Sequence, residues 1–246
     1  MKIISATIIG LLTGASGLMA GSPQSMAPAP LNEGNPFYVE LSGGYASTTL
    51  GSPERGSTKS GRNFNGRTYN HDLDMNEIFG VKLGYQASET LRFDIGYFMT
   101  GGDISWDTNF GSSGMANFHG DLAVDLFLAS GYYSFQEIRN FTPYVGVSVG
   151  FSRNKFSSLE ESSAGVTYAY PEANTETNLA YKLSVGTDYR ITDNFTLNLD
   201  LSLVNIGDFS TGNKRTYANG IIQPIGAYEF DDTWFTSLSL GVRYNF

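Results

Sequence analysis

A chain of 246 residues can build one sizeable domain but not two comfortable ones. Its 29 Gly, 17 Phe and 15 Tyr, with only 16% charged residues, disfavour a helical protein and suit many strands and turns. The absence of cysteine excludes a disulfide scaffold and any thiolate metal site, and a formal charge of −9 gives no footprint for nucleic acid.

The first 20 residues predict a signal peptide. Lys2 precedes an apolar run over residues 3–12, interrupted by Ser5 and Thr7, and residues 13–20 are rich in small side chains. Cleavage after Ala20 is expected, although Leu18, three residues before the cut, is larger than ideal. A membrane-spanning helix needs about 20 apolar residues, and Gly10, Gly14, Ser16 and Gly17 cut this run short. Any crossing of a membrane must therefore be made by strands. Residues 21–36, rich in Pro and small side chains, are expected to be a flexible lead-in.

From residue 37 the chain alternates with period two, the mark of strands with two different faces. The first strand sets Phe37, Val39, Leu41 and Tyr45 against Tyr38, Glu40, Ser42 and Gly44. A long loop over 46–70 follows, without periodicity. The second strand sets Phe79, Val81, Leu83 and Tyr85 against Gly80, Lys82, Gly84 and Gln86. A tight turn at Ser88-Glu89-Thr90 leads to the third, with Leu91, Phe93, Ile95, Tyr97 and Met99 opposite Arg92, Asp94, Gly96 and Phe98. After a loop over roughly 101–117, the fourth has Leu122, Val124, Leu126, Leu128 and Tyr132 opposite Asp121, Ala123, Asp125, Ala129 and Gly131.

A short connection near 136–140 precedes the fifth strand, Val145, Val147, Val149 and Phe151 against Tyr144, Gly146, Ser148 and Ser152. A loop over 156–176 leads to the sixth, Leu179, Tyr181, Leu183, Val185 and Tyr189 against Lys182, Ser184, Gly186, Asp188 and Arg190. Thr192-Asp193-Asn194 turns into the seventh, Phe195, Leu197, Leu199, Leu201 and Leu203 against Thr196, Asn198, Asp200 and Ser202. After a loop over 207–230, the eighth alternates Trp234, Leu238, Leu240, Val242, Tyr244 and Phe246 with Phe235, Ser237, Ser239, Gly241 and Arg243.

Three short connections alternate strictly with four long ones, the pattern of an outer-membrane barrel with tight periplasmic turns and long outer loops. Each apolar stretch offers ~9–11 residues, the length a tilted strand needs to cross the hydrocarbon. Aromatics gather at the turn-side ends (Phe37, Tyr85, Phe93, Tyr132, Tyr133, Phe141, Tyr189, Phe195, Tyr244, Phe246) and more loosely toward the loops (Tyr45, Phe79, Phe151, Tyr181, Trp234). Two belts match the two interfaces of a membrane. The prediction is an all-β, eight-stranded antiparallel up-and-down transmembrane β-barrel over residues 37–246.

With apolar residues toward lipid, the opposite set must line the interior: Glu40, Asp94, Asp121, Asp125, Asp188 and Asp200 as acids, and Lys82, Arg92, Lys182, Arg190 and Arg243 as bases. An eight-stranded barrel barely holds its own side chains, so these charges must pair or hold water. A plugging ion-pair network is expected, with a narrow porin as the alternative. The terminal Tyr244 and Phe246 read as an assembly signal for the barrel-assembly machinery.

Three segments carry a family resemblance: Thr142-Pro143-Tyr144-Val145-Gly146-Val147 followed by Arg153-Asn154-Lys155; the run from Tyr181-Lys182-Leu183 through Asp188-Tyr189-Arg190 to Asp193-Asn194; and Leu201-Ser202-Leu203-Val204-Asn205-Ile206-Gly207-Asp208. They resemble the fifth, sixth and seventh strands of opacity-type outer-membrane proteins, and the architecture is similar to the OmpA transmembrane domain. The third segment departs from the family, where an aromatic-rich tyrosine motif is more usual. The resemblance spans roughly 37–246 and is specific for fold and location but loose for function. It implies a monomeric surface protein of the bacterial outer membrane whose loops mediate adhesion or antigenic contact with host surface molecules. The barrel would support envelope integrity, with outer-membrane lipid and lipopolysaccharide as its neighbours. No cofactor, enzymatic activity or nucleic-acid partner is expected, and no peptidoglycan-binding domain is expected after Phe246.

Some small barrels carry catalytic residues at the outer rim. The candidates here are His71, Asp72, Asp74, Asp103, Asp107, His119 and Asp121, with Ser112 as a conceivable nucleophile. A His–Asp pair could activate water, and two His with an Asp could hold a divalent metal. Wet, polar rims are rich in His and Asp without any chemistry, so the non-enzymatic reading is preferred. The first loop is basic (Arg55, Lys59, Arg62, Arg67) and could meet lipopolysaccharide phosphates or sulfated glycans. Phe64, Tyr69, Tyr168, Tyr170 and Tyr217 suit protein recognition. A soluble lipocalin-like barrel, with its apolar residues turned inward, is the remaining alternative.

Overall fold

The computed structural model describes residues 35–48, 54–55, 67–109 and 114–246. The predicted leader over 1–20, the lead-in up to 34, the first-loop residues Lys59, Arg62 and Phe64, and Ser112 lie outside the described residues. Eight long strands organise the rest: β1 (Phe37–Thr48), β2 (Arg67–Gln86), β3 (Leu91–Asn109), β4 (Met115–Ser134), β5 (Phe141–Ser163), β6 (Asn174–Arg190), β7 (Phe195–Ser210) and β8 (Tyr228–Asn245). Each pairs antiparallel with its neighbours in the chain, and β1 pairs with β8. That last pairing, Val39 opposite Tyr244 and Leu41 opposite Val242, closes the sheet into a ring without free edges.

Local chemistry explains the tight ends. Between β2 and β3 the Ser88 hydroxyl accepts the Leu91 N–H at 3.0 Å. Between β6 and β7 the Thr192 hydroxyl accepts the Phe195 N–H at 3.0 Å. The β4–β5 turn has Arg139 and Asn140 at φ 52° and 68°, the left-handed pair a two-residue hairpin needs to match strand twist.

The strands run well past the membrane. β5 has 23 residues and β4 has 20, about twice the ~9–11 needed to span the hydrocarbon. The loops expected over 101–117 and 156–176 are therefore mostly strand: β3 continues to Asn109, β4 begins at Met115, and β5 reaches Ser163. The reason lies in a change of polarity with height. Near the turns, apolar side chains face outward and polar ones inward: Phe93 and Ile95 are exposed on β3 while Arg92 and Asp94 are buried. Further along the same strand Ile104, Trp106 and Thr108 are buried, while Asp103 and Ser105 face solvent. The outer half of the barrel obeys the rules of a water-soluble one, with a dry inside and a wet outside.

This inversion corrects the predicted face of the fourth strand. Leu122, Val124, Leu126, Leu128 and Tyr132 point into the barrel, and Ala123, Phe127, Ala129 and Tyr133 point out. The long apolar run of β4 belongs largely to the dry outer core rather than to the lipid face. Asp121 and Asp125, expected inside, therefore stand on the outer surface, where Asp125 accepts a hydrogen bond from the Tyr97 hydroxyl at 2.5 Å.

Three tyrosines fill the space left by glycines directly across the sheet: Tyr38 over Gly84, Tyr132 over Gly146 and Tyr144 over Gly186. A Cβ on Gly84 would come within 1.9 Å of the Tyr38 ring. These glycines are required by close approach, since none of the three has a positive φ. The tyrosines in turn position polar groups for the lumen.

Candidate functional site

The turn-side half of the lumen is a charged layer. Glu40 accepts Lys82 Nζ at 2.6 Å on one carboxylate oxygen and Arg243 Nη2 at 2.7 Å on the other. Arg243 continues to Asp188 at 2.9 Å, and Asp188 also accepts Arg92 at 2.6 Å. Tyr38 donates to Asp94 at 3.1 Å, and Tyr144 donates to Asp200 at 2.8 Å. Lys182 stands 3.1 Å from the other Asp200 oxygen as an ion pair, without the alignment of a hydrogen bond. The guanidinium of Arg92 lies between the Tyr132 and Tyr144 rings, 4.5 and 4.4 Å from their centroids, where ring faces favour a cation. Four cations thus meet four carboxylates across the whole section of the barrel, and charge balance makes their burial tolerable.

Of the predicted interior charges, Glu40, Lys82, Arg92, Asp94, Lys182, Asp188, Asp200 and Arg243 are buried in this layer. Asp121, Asp125 and Arg190 are not. The first two follow the inverted face of β4. Arg190 has the inward parity but sits where β6 leaves the barrel, so its guanidinium reaches solvent and pairs with Glu137 at 2.7 Å. Tyr244 and Phe246 form an exposed aromatic edge with Phe195, at centroid distances of 5.1 and 5.3 Å.

Above the charges sits an aromatic core that sequence reasoning missed. Trp106 stacks on Phe118 at 4.8 Å and Phe209 on Phe230 at 4.6 Å; Phe156 lies between the two pairs, and Tyr228 packs against Trp106 and Phe118. Its signal was present as Ile104, Trp106, Thr108 alternating with Asp103, Ser105, Asp107, and as Ala116, Phe118 alternating with Asn117, His119. Glycines at 101, 102, 111 and 114 masked that alternation as loop. The lumen is thus crossed by two filled tiers, one ionic and one aromatic.

The rim candidates divide. Asp103, His119 and Asp121 converge on the outer face of β3 and β4, with ligand-capable atoms within 4.8 Å of one another. Asp107 instead accepts the Asn117 amide at 2.6 Å. Asp72 and Asp74 stand on β2 opposite Ser105 and Asp103. His71 belongs to β2, but its side chain lies outside the described residues.

Beyond the barrel the outer connections build a small sheet. Val166–Pro171 folds back on the end of β5, pairs with Lys214–Tyr217, and that strand pairs with Ile222–Pro224. One ion pair pins it: Arg215 Nη1 donates to both Glu161 oxygens at 2.8 Å, while Tyr168 donates to Glu161 at 2.7 Å. Burial, together with the hydrogen bond to Glu161, pushes the Tyr168 hydroxyl above its ordinary pKa. Burial works against the Arg215 charge, but the bonded carboxylate of Glu161 more than offsets it and raises the guanidinium. Two connections are thereby locked into one platform, with Val166, Tyr170, Ile221 and Ile222 exposed on it.

Comparisons with known proteins agree with this architecture. PagN, an outer membrane protein of Salmonella typhimurium, is 26% identical over 140 residues, 56% of this chain and 56% of its own. The Rickettsia prowazekii protein RP828, named for a suspected role in adhesion, is 28% identical over 168 residues, 66% of this chain and 71% of its own. The chain thus spans little more than half the length of PagN. The outer membrane protease OmpT of Escherichia coli superposes with a TM-score of 0.50 at 11% identity, covering 89% of this chain and 100% of that one, a likeness of fold alone. The outer membrane protein beta-barrel domain matches residues 13–246. With a closed ring of eight antiparallel strands, an apolar band outside and a filled lumen, the chain belongs to the outer membrane protein beta-barrel family and resides in the bacterial outer membrane.

Proposed function

We propose that this barrel is a surface adhesin, a monomer that presents its outer β platform to molecules on host cells. The observation that carries the reading is the ordered platform itself. Loops that merely solubilise need no paired strands, no half-buried Arg215–Glu161 bond, and no exposed Val166, Tyr170, Ile221 and Ile222 held on a fixed frame. The naming of the Rickettsia prowazekii relative RP828 for adhesion supports the same direction. Export would use residues 1–20 as a cleaved leader, and the exposed Tyr244–Phe246 edge would serve recognition by the assembly machinery. Lipopolysaccharide would surround the upper barrel. Catalysis is not part of this proposal.

The test is adherence. Displayed on a non-adherent bacterium, the wild type should bind cultured animal cells. The double variant Tyr170→Ala/Ile222→Asp should bind about tenfold less or worse, as loss of an interface anchor does, at equal surface display. Equal adherence of the two would sink the reading. The porin alternative has its own measurement. With both tiers filled, the barrel in planar bilayers should carry no steady current, and a reproducible open-channel step would restore the pore.

A further inference from the structure

On the outer surface, above the apolar band, β3 and β4 assemble a group of side chains the adhesion reading does not use. Asp103 and Asp121 are direct cross-strand partners. His119 lies two residues along β4 from Asp121, hence on the same outward face. One imidazole nitrogen and two carboxylate oxygens lie within 4.8 Å of one another. We infer that Asp103, His119 and Asp121 form a binding site for one divalent transition-metal ion, with zinc as the matching probe.

Three observations carry this. A residue, its neighbour two along, and the partner across the strand make a three-point support on a pleated sheet, a geometry the backbone imposes before any metal arrives. The three side chains are otherwise idle: among the described residues none of them takes part in a hydrogen bond or ion pair. Their surroundings also favour a cation. Asp74 stands directly across from Asp103 on β2, so three carboxylates occupy one row on adjacent strands. Like charges directly opposite each other destabilise a sheet unless something positive lies between them. Glu160 faces His119 from β5 and accepts the Thr167 hydroxyl. Lys155 lies opposite Ala123, one row nearer the membrane, and forms no ion pair with the acids.

The donor set names the metal class. Calcium and magnesium prefer all-oxygen sites. An imidazole with two carboxylates suits zinc and its first-row neighbours, and three protein ligands leave the outward position to water. The side chains are at or near the surface and can rotate, so they can close to the ~2.0–2.2 Å bonds that zinc makes.

Titration calorimetry of the full barrel in detergent micelles, with excess magnesium in the buffer, tests the site. Zinc should bind saturably at one equivalent. His119→Ala and Asp121→Asn should each weaken it about tenfold or more, since even indirect supports of a metal site are worth ~10–100-fold. Both positions lie on the outer face, and Asp103→Asn gives a third readout should one variant misfold. The inference is overturned by absence of saturable binding, by displacement with millimolar magnesium, or by indifference to His119→Ala.

Discussion

Glu40→Ala should destabilise the barrel by about 3–5 kcal/mol, the usual cost of leaving a buried charge without its partner. Glu40 is 1% exposed and holds two cations at once, Lys82 at 2.6 Å and Arg243 at 2.7 Å. Their positions after the change differ. Arg243 keeps Asp188 at 2.9 Å. Lys82 loses its one close ion pair among the described residues and keeps the faces of Phe98 and Tyr132, nearly 6 Å from its ammonium, with Asp94 and Asp200 farther off. Most of the loss should therefore come from Lys82. The double variant Glu40→Leu/Lys82→Met, which removes both charges and retains volume, should recover much of the stability, because an apolar pair avoids desolvation altogether. Urea unfolding of the barrel in lipid vesicles, read by heat-modifiable gel mobility, measures both. Equal midpoints for the single and double variants would show that Lys82 is not the stranded group.

Trp106→Ala should cost about 3–5 kcal/mol, the range for deleting a large aromatic from a packed core. The indole stacks on Phe118 at 4.8 Å and touches the rings of Phe156, Tyr228 and Phe230 at centroid distances of 5.3 to 6.1 Å. Its Nε1 is buried and has no hydrogen-bond acceptor among the described residues. An orphaned donor itself costs about 1–3 kcal/mol, so Trp106→Phe should be much milder than Trp106→Ala despite losing ring area. Hydrogen exchange would locate the damage. In Trp106→Ala, amides in the outer halves of β3 and β4 should open while those beside Glu40 stay protected. Uniform protection in both tiers would mean that the aromatic core does not hold the outer barrel together.

The two variants probe opposite tiers, and the tiers show where sequence reasoning succeeds. Strands β1 to β3 and β5 to β8 were legible near the turns because lipid outside and charge inside produce a clean alternation, as in Leu91, Phe93, Ile95 against Arg92, Asp94. The buried charges Glu40, Lys82, Asp188 and Arg243 share that parity, but their partners come from β1, β2, β6 and β8. Only closure of the ring brings Arg243 to Glu40, 203 residues away in the chain. The convergence of Asp103, His119 and Asp121 likewise depended on a register that no local pattern specifies. His119 and Asp121 are near each other in sequence, whereas Asp103 reaches them through pairing of β3 with β4.

By itself the sequence determined the class of this protein: eight alternating stretches, tight turns at one end, and aromatics at both ends of the apolar band. Period two is a local property and survives any tertiary arrangement. What only the tertiary structure decided was which face is inside at each height. Alternation separates two faces but does not say which is greasy because it meets lipid and which because it meets a dry core. In β4 both apolar environments are available, and the ring chose the core.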